Sequence, residues 1–182
     1  MGLNLPSDAK RLWQGAALLR IVMGAGFLYA GLAKLLQIGG AKPFTAAGYL
    51  QFGTAGTWPG AAEGAVVNPT QPFWVALGQN PGVVDIVNFL VVFGEIAIGT
   101  CLILGLVARF AGMMGAIMVS LFYVSSWDFG HGLVNQQLLY VAICGFVAYV
   151  GAGRYFGLDA TIEKSGALQR SSALRQLAGL MM

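Results

Sequence analysis

Charge is what this sequence has least of. Only 9% of its 182 residues are charged, against about 25% in a typical soluble domain. So few charges cannot cover a water-facing surface, and a soluble globular reading is excluded. Histidine is nearly absent too. His131 stands alone, which rules out a two-histidine haem of the cytochrome b kind and any multi-histidine metal centre. Cys101 and Cys144 are the two cysteines, both inside apolar runs and not in a CxxC pair. They are expected to pack as small hydrophobes, and a thiol–disulfide enzyme is disfavoured. There is no phosphate-cradling glycine loop, no Ser/His/Asp set and no metal-ligand spacing. The net charge of +3 does not point to nucleic acid, because the basic residues gather beside the apolar runs, as they do on the cytoplasmic flanks of membrane helices.

Apolar length is what the chain does have. A helix needs about 20 apolar residues to cross a bilayer, and four runs qualify, over residues 12–38, 83–107, 110–127 and 133–152. The first run is too long for a cleavable signal and no small-residue cleavage site follows it. Helices are the only open-chain way to satisfy backbone polar groups in lipid, and no strand pattern appears. The expected fold is one all-α membrane domain over residues 1–182, a bundle of four transmembrane helices. Lys10, Arg11, Arg20, Arg109, Arg154, Lys164, Arg170 and Arg175 fall on one side and only Lys34 and Lys42 on the other. The positive-inside tendency then puts both termini and the Arg109 hairpin in the cytoplasm.

A long outer loop, 39–82, joins the first two spans. Its aromatic residues and its lack of charge, with only Lys42 and Glu63, suit it poorly to free solvent. Short interfacial helices are expected over 43–52 and 72–77. In the cytoplasmic tail, 153–182, Ser171 or Ser172 is placed to cap a short amphipathic helix that carries Leu174, Leu177 and Met181. Small residues repeat every fourth position, at Ala108, Gly112, Ala116 and Ser120, at Gly26 and Ala30, and at Cys144, Ala148 and Ala152. Such stripes let membrane helices approach closely.

Polar residues at membrane depth are costly and raise a functional hypothesis. Arg20 and Lys34 lie on one face of the first span, roughly 21 Å apart along the axis. Asn88 and Glu95 share a face of the second. If the two faces meet, Glu95 is paired with Arg20 or Lys34, or is protonated. Two readings stay open: a proton-handling or quinone-contacting site, or a buried ion pair that fixes helix register. A second cluster, Trp127, Asp128, His131, Asn135, Gln136 and Gln137, runs from the third span into the fourth. His131 beside Asp128 could relay protons near neutral pH, or simply be a solvated loop residue. Gln137 facing the bundle could hydrogen-bond a quinone carbonyl, or only a neighbouring helix.

These residues form a recognisable set. Leu19-Arg20 through Gly24, Phe27 and Gly31-Leu32-Ala33-Lys34 resembles the opening motif of the DoxX/DoxD membrane proteins. Gly94-Glu95-Ile96-Ala97-Ile98-Gly99, Leu104-Gly105-Leu106 and Arg109 are similar to that family's second helix and hairpin. Gly151-Ala152-Gly153-Arg154-Tyr155-Phe156-Gly157-Leu158-Asp159 looks like the end of its longer members, and Ala47-Gly48-Tyr49-Leu50 and Asn80-Pro81 like parts of its first loop. Asn135-Gln136-Gln137-Leu138-Leu139-Tyr140 departs from those members, which often have an acidic residue and a histidine just before the tyrosine.

The resemblance covers about residues 15–160. It implies a four-helix bundle in a prokaryotic cytoplasmic membrane, working as an accessory or quinone-interacting subunit of an electron-transfer complex. DoxD subunits belong to thiosulfate:quinone oxidoreductase, which oxidises thiosulfate to tetrathionate. Arg20, Lys34 and Glu95 occupy the family's charged helix positions, which makes Glu95 and Lys34 the candidate catalytic pair and Arg20 a substrate or quinone contact; Asn88, His131 and Gln137 join the candidate contacts from the polar positions read above. Quinone is the expected cofactor, with none bound covalently and no metal. Membrane lipid and other subunits of the complex are the expected partners. A small-molecule transporter is the remaining alternative, disfavoured because four helices without an internal repeat rarely enclose a path.

Overall fold

The chain is described from a computed structural model over residues 7–38, 40–56, 62, 63, 65–126, 134–164, 179 and 181. Four helices carry the architecture: α1 (Ser7–Leu35), α3 (Pro81–Leu104), α4 (Ala108–Ser126) and α5 (Gln136–Val150). Two shorter ones, α2 (Gln71–Gly78) and α6 (Asp159–Glu163), flank them, with a π-helical turn at Tyr49–Gly53 and a 3-10 turn at Ala152–Arg154. No strand occurs among the described residues.

Helices α1, α3 and α4 are long and apolar enough to cross a membrane. Helix α5 has 15 residues, about 22 Å at 1.5 Å per residue, and is shorter than the run 133–152 expected for it. The ends of the others moved for local reasons. Span two stops at Leu104, before the expected 107, because Gly105 adopts the left-handed conformation (φ 63°) and caps α3. Its N–H reaches Leu102 O and that of Leu106 reaches Cys101 O, the paired bonds of a glycine-terminated helix. At the other end Asn80 accepts from Val83 N–H and Pro81 opens the helix, as a missing donor allows in the first turn. Arg109, expected in the turn, lies in the first turn of α4, and the turn itself is Gly105–Val107.

Packing follows the small residues. Helices α1 and α3 run antiparallel, and a side chain added at Gly24 would sit 2.9 Å from Gly99 O. One at Gly99 would strike Leu28 N and lie 2.8 Å from Gly24 O, and one at Gly31 would lie 2.9 Å from Ile96 N. Helices α4 and α5 meet likewise at Gly112, where a Cβ would be 2.9 Å from Cys144 O. Met23, Phe27, Ile98, Leu102, Ala111, Val119, Cys144 and Val147 form the common core of the four helices. Cys144 is fully buried and both cysteines are free thiols. Large apolar side chains such as Leu12, Tyr29, Phe89 and Leu121 face outward, which is ordinary in lipid and unusual in water.

The described parts of the long loop hold short helical turns. Helix α2 covers the expected 72–77, and the turn at Tyr49–Gly53 falls at the end of the expected 43–52. Ala46, Leu50 and Val84 make a small second core with Trp74, Leu77 and Val87 partly buried against it. The tail helix expected after Ser171 lies outside the described residues, apart from Gly179 and Met181.

Candidate functional site

The face shared by α1 and α3 brings one ionic pair together. Lys34 Nζ donates to both carboxylate oxygens of Glu95, at 2.8 Å and 2.7 Å. The glycines make this contact reachable. Gly31, one turn before Lys34, packs against Glu95 Cβ and Ile96, so the α1 backbone lies close enough for the lysine to reach across. The Glu95 side chain is 5% exposed and that of Lys34 24%. The third ammonium proton is loosely engaged, with Ala30 O at 3.4 Å, near the outer limit for a hydrogen bond. The Phe44 ring lies 5.7 Å from Nζ. Of the pairings open in the sequence, Lys34 is therefore the partner of Glu95.

Arg20 stands about half the length of α1 away, 14 residues or roughly 21 Å down the helix, and does not join the pair. It is wholly buried, donating from Nη1 to Ala152 O at 3.1 Å and from Nη2 to Phe156 O at 2.8 Å. Beside it, the equally buried Asp159 accepts from Val107 N–H at 2.6 Å and Ala108 N–H at 3.0 Å. A carboxylate at the start of α4 satisfies donors that a helix leaves unpaired and complements its dipole. Leu158 and Asp159 N–H bond to Leu104 O and Gly105 O. The segment 151–159 is thus stitched across the α3–α4 hairpin and closes the basic end of the bundle. Gly105, Gly153 and Gly157 leave room for these groups, since a Cβ at Gly105 or Gly157 would strike the Arg20 guanidinium and one at Gly153 would strike Asp159 Oδ2. Burial pushes the Asp159 carboxyl above its ordinary range, while the two N–H donors and nearby Arg20 pull it back.

Asn88 is engaged by the loop, its Oδ1 accepting from Ala46 N–H at 2.8 Å. This contact draws the strand of loop beyond Lys34 along the first half of α3. Gln137 sits in the first turn of α5, next to Asn135, which caps the helix through Leu138 N–H. His131, Trp127 and Asp128 lie outside the described residues. Of the expected site residues, then, Lys34 and Glu95 meet, and Asn88 lies two turns from Glu95 on the same helix.

Sequence reasoning did not single out a further polar cluster. Asn68 is buried, and its amide donates to Thr54 O and Ser125 O, both at 2.9 Å. Its Oδ1 accepts from Thr70 N–H and Thr70 Oγ1, and Trp74 Nε1 donates to Thr70 Oγ1. Tyr49 OH and Ser125 Oγ share a 2.7 Å bond. The signal for this cluster was the concentration of Thr and Asn in a loop almost without charge. Nothing in their spacing says which carbonyls they meet. Among the described residues no group of His, Cys, Asp and Glu can hold a metal ion.

Among curated proteins and among solved structures, no match was found. The family model described as TQO small subunit DoxD matches residues 16–181, a stretch that takes in Arg20, Lys34, Glu95 and Asp159, and the chain belongs to the DoxD family.

Proposed function

We propose that this chain is an integral membrane subunit of an electron-transfer complex of the thiosulfate:quinone oxidoreductase type, contacting quinone at the Lys34–Glu95 pair. Its four helices would cross a prokaryotic cytoplasmic membrane with both termini inside, and α5 would complete its crossing with flanking residues. Family membership supports the complex. The observation that carries the site is the Lys34 ammonium, which is held by a buried carboxylate yet keeps one loosely bonded proton and an exposed side.

Such a group fits a quinone carbonyl. The loosely held proton would turn from Ala30 O to the carbonyl oxygen, and the positive charge would stabilise negative charge arriving there, an effect worth far more in a dry site than in water. Phe44 offers the ring a flat apolar neighbour. Glu95 holds the lysine aimed through both of its oxygens. Quinone reduction takes two electrons and two protons; two thiosulfate dianions release the two electrons as they join through the new S–S bond of tetrathionate. Lys34, nearer the outer end of α1, would also attract such an anion.

The test is reduction of a short-chain quinone analogue by thiosulfate, with the purified chain alone and with its co-purifying subunits. Lys34→Gln is expected to lower the rate about a hundredfold, the usual loss for one electrostatic donor. No reduction in either preparation would overturn the redox reading. One observation favours a second reading, an accessory subunit without chemistry: both Glu95 oxygens are already satisfied by Lys34, as a register-fixing pair requires. An active complex whose rate is indifferent to Lys34→Gln would select it.

A further inference from the structure

A groove of about 470 Å³ opens between α4 and α5 at the basic end, lined by Arg109, Met113, Ala116, Gly145, Ala148 and Tyr149. It is an open groove on the side of the bundle rather than an enclosed cavity. Its chemistry is divided along its length. Met113, Ala116, Gly145 and Ala148 make an apolar floor. Arg109 in the first turn of α4 and Tyr149 in the last turn of α5 stand together at the mouth. Gly145 borders the slot, and a Cβ there would project into open space with nothing within 4 Å. Gly112, one turn in from Arg109, seats the two helices tightly beneath it. The groove is therefore a feature of the backbone packing.

Arg109 is not used up by the protein. Its Nη1 donates to Gly179 O at 3.2 Å, in an exposed bond, while its Nε is buried with no hydrogen-bond partner. A basic mouth, an apolar slot and an interfacial tyrosine match a molecule with an anionic head and a hydrocarbon tail.

We propose that this groove binds an anionic phospholipid, its phosphate on Arg109 and an acyl chain between α4 and α5. Guanidinium is suited to phosphate because its donors form a planar fork, and the tyrosine hydroxyl sits where headgroups lie. The proposal rests on the membrane assignment but not on the quinone site, which lies at the other end of α1.

The full-length chain in detergent is mixed with equal amounts of phosphatidylglycerol and phosphatidylcholine and read by native mass spectrometry. Wild type is expected to retain phosphatidylglycerol several-fold over phosphatidylcholine. Arg109→Gln should abolish that preference, with the loss of one charge-assisted contact. Gly145→Phe should fill the slot and reduce retention of both lipids. A photo-reactive residue in place of Met113 should capture lipid. Equal retention of the two lipids by wild type, a preference that survives Arg109→Gln, or capture of the chain's own C-terminal residues at position 113 would each overturn the proposal. A chain that stays soluble without detergent would instead overturn the membrane assignment itself.

Discussion

Lys34 and Glu95 lie 61 residues apart in the chain, yet a single ammonium serves both oxygens of one carboxylate, at 2.8 and 2.7 Å. The contact joins α1 to α3 near the loop end of their seam. Removing either partner strands the other, whereas removing both leaves an apolar seam. Breaking a fully buried pair costs about 3–5 kcal/mol. The partial exposure of Lys34 brings the expected loss for Lys34→Met to about 2–3 kcal/mol. Lys34→Met with Glu95→Leu should recover most of it. Unfolding in detergent of the two single variants and the double measures the coupling. Losses that simply add would show that the pair does not hold the seam.

Gly99 supports a sharper contrast. A methyl group there strikes the α1 backbone at Leu28 N, so Gly99→Ala must spread α1 from α3 and is expected to destabilise by about 1–3 kcal/mol. Gly26 is on the same helix as Gly24 but faces outward, and a Cβ there meets nothing within 4 Å. Gly26→Ala should therefore be neutral or stabilising by up to about 1 kcal/mol, from helix propensity alone. Thermal midpoints of the two variants, measured side by side, decide it. Equal effects would mean the helices are not in contact through Gly99.

The elements that the sequence made legible are those set by local chemistry. Apolar run lengths located α1, α3 and α4 to within a few residues. Charge scarcity and the family motifs located Lys34 and Glu95, and helical phase placed them on facing sides. The choice of Lys34 over Arg20 as partner depends on how far α1 slides along α3, which the Gly24, Gly99 and Gly31 contacts set, and no periodicity reports that slide. Asp159 was visible as the end of a motif, but its work is done on backbone N–H groups of Val107 and Ala108, about 50 residues earlier. A carboxylate that pairs with main chain leaves no complementary residue to look for. The same holds for Asn68, whose amide meets carbonyls.

Asp159 gives the chain a pH signature. Burial raises its carboxyl above the ordinary value of 3.8, so over the window just above that value the folded state holds the proton more tightly than the unfolded state does. Stability then falls as pH rises through the window, with a slope of at most about 1.4 kcal/mol per pH unit. Below the ordinary value both states are protonated and the contribution is fully present. Asp159→Asn cannot titrate and should flatten that part of the profile. Unfolding midpoints of the two proteins in detergent across the acid range would show this. A wild-type midpoint that climbs through the same window, and loses that climb in Asp159→Asn, would mean that the N–H donors and Arg20 outweigh burial.

The long loop should come apart at Asn68 before it does at Tyr49. Tyr49→Phe removes one hydroxyl, and Ser125 Oγ still has Phe122 O to donate to at 3.0 Å; the expected loss is about 1 kcal/mol. Asn68→Ala strips the amide from the carbonyls of Thr54 and Ser125 and the oxygen from Thr70. Each buried group left unsatisfied costs about 1–3 kcal/mol, so this one change removes more than the loop's small core of Ala46, Leu50 and Val84 can hold. Hydrogen exchange follows the loop directly. In Asn68→Ala the N–H groups of Val67 and Asn68's replacement, both now bonded to Ala55 O, should exchange far faster than in wild type, while those in the middle of α3 and α4 keep their protection. If the whole bundle loses protection together, the loop is part of the core that holds the helices, and its amide network carries the fold as well as the loop.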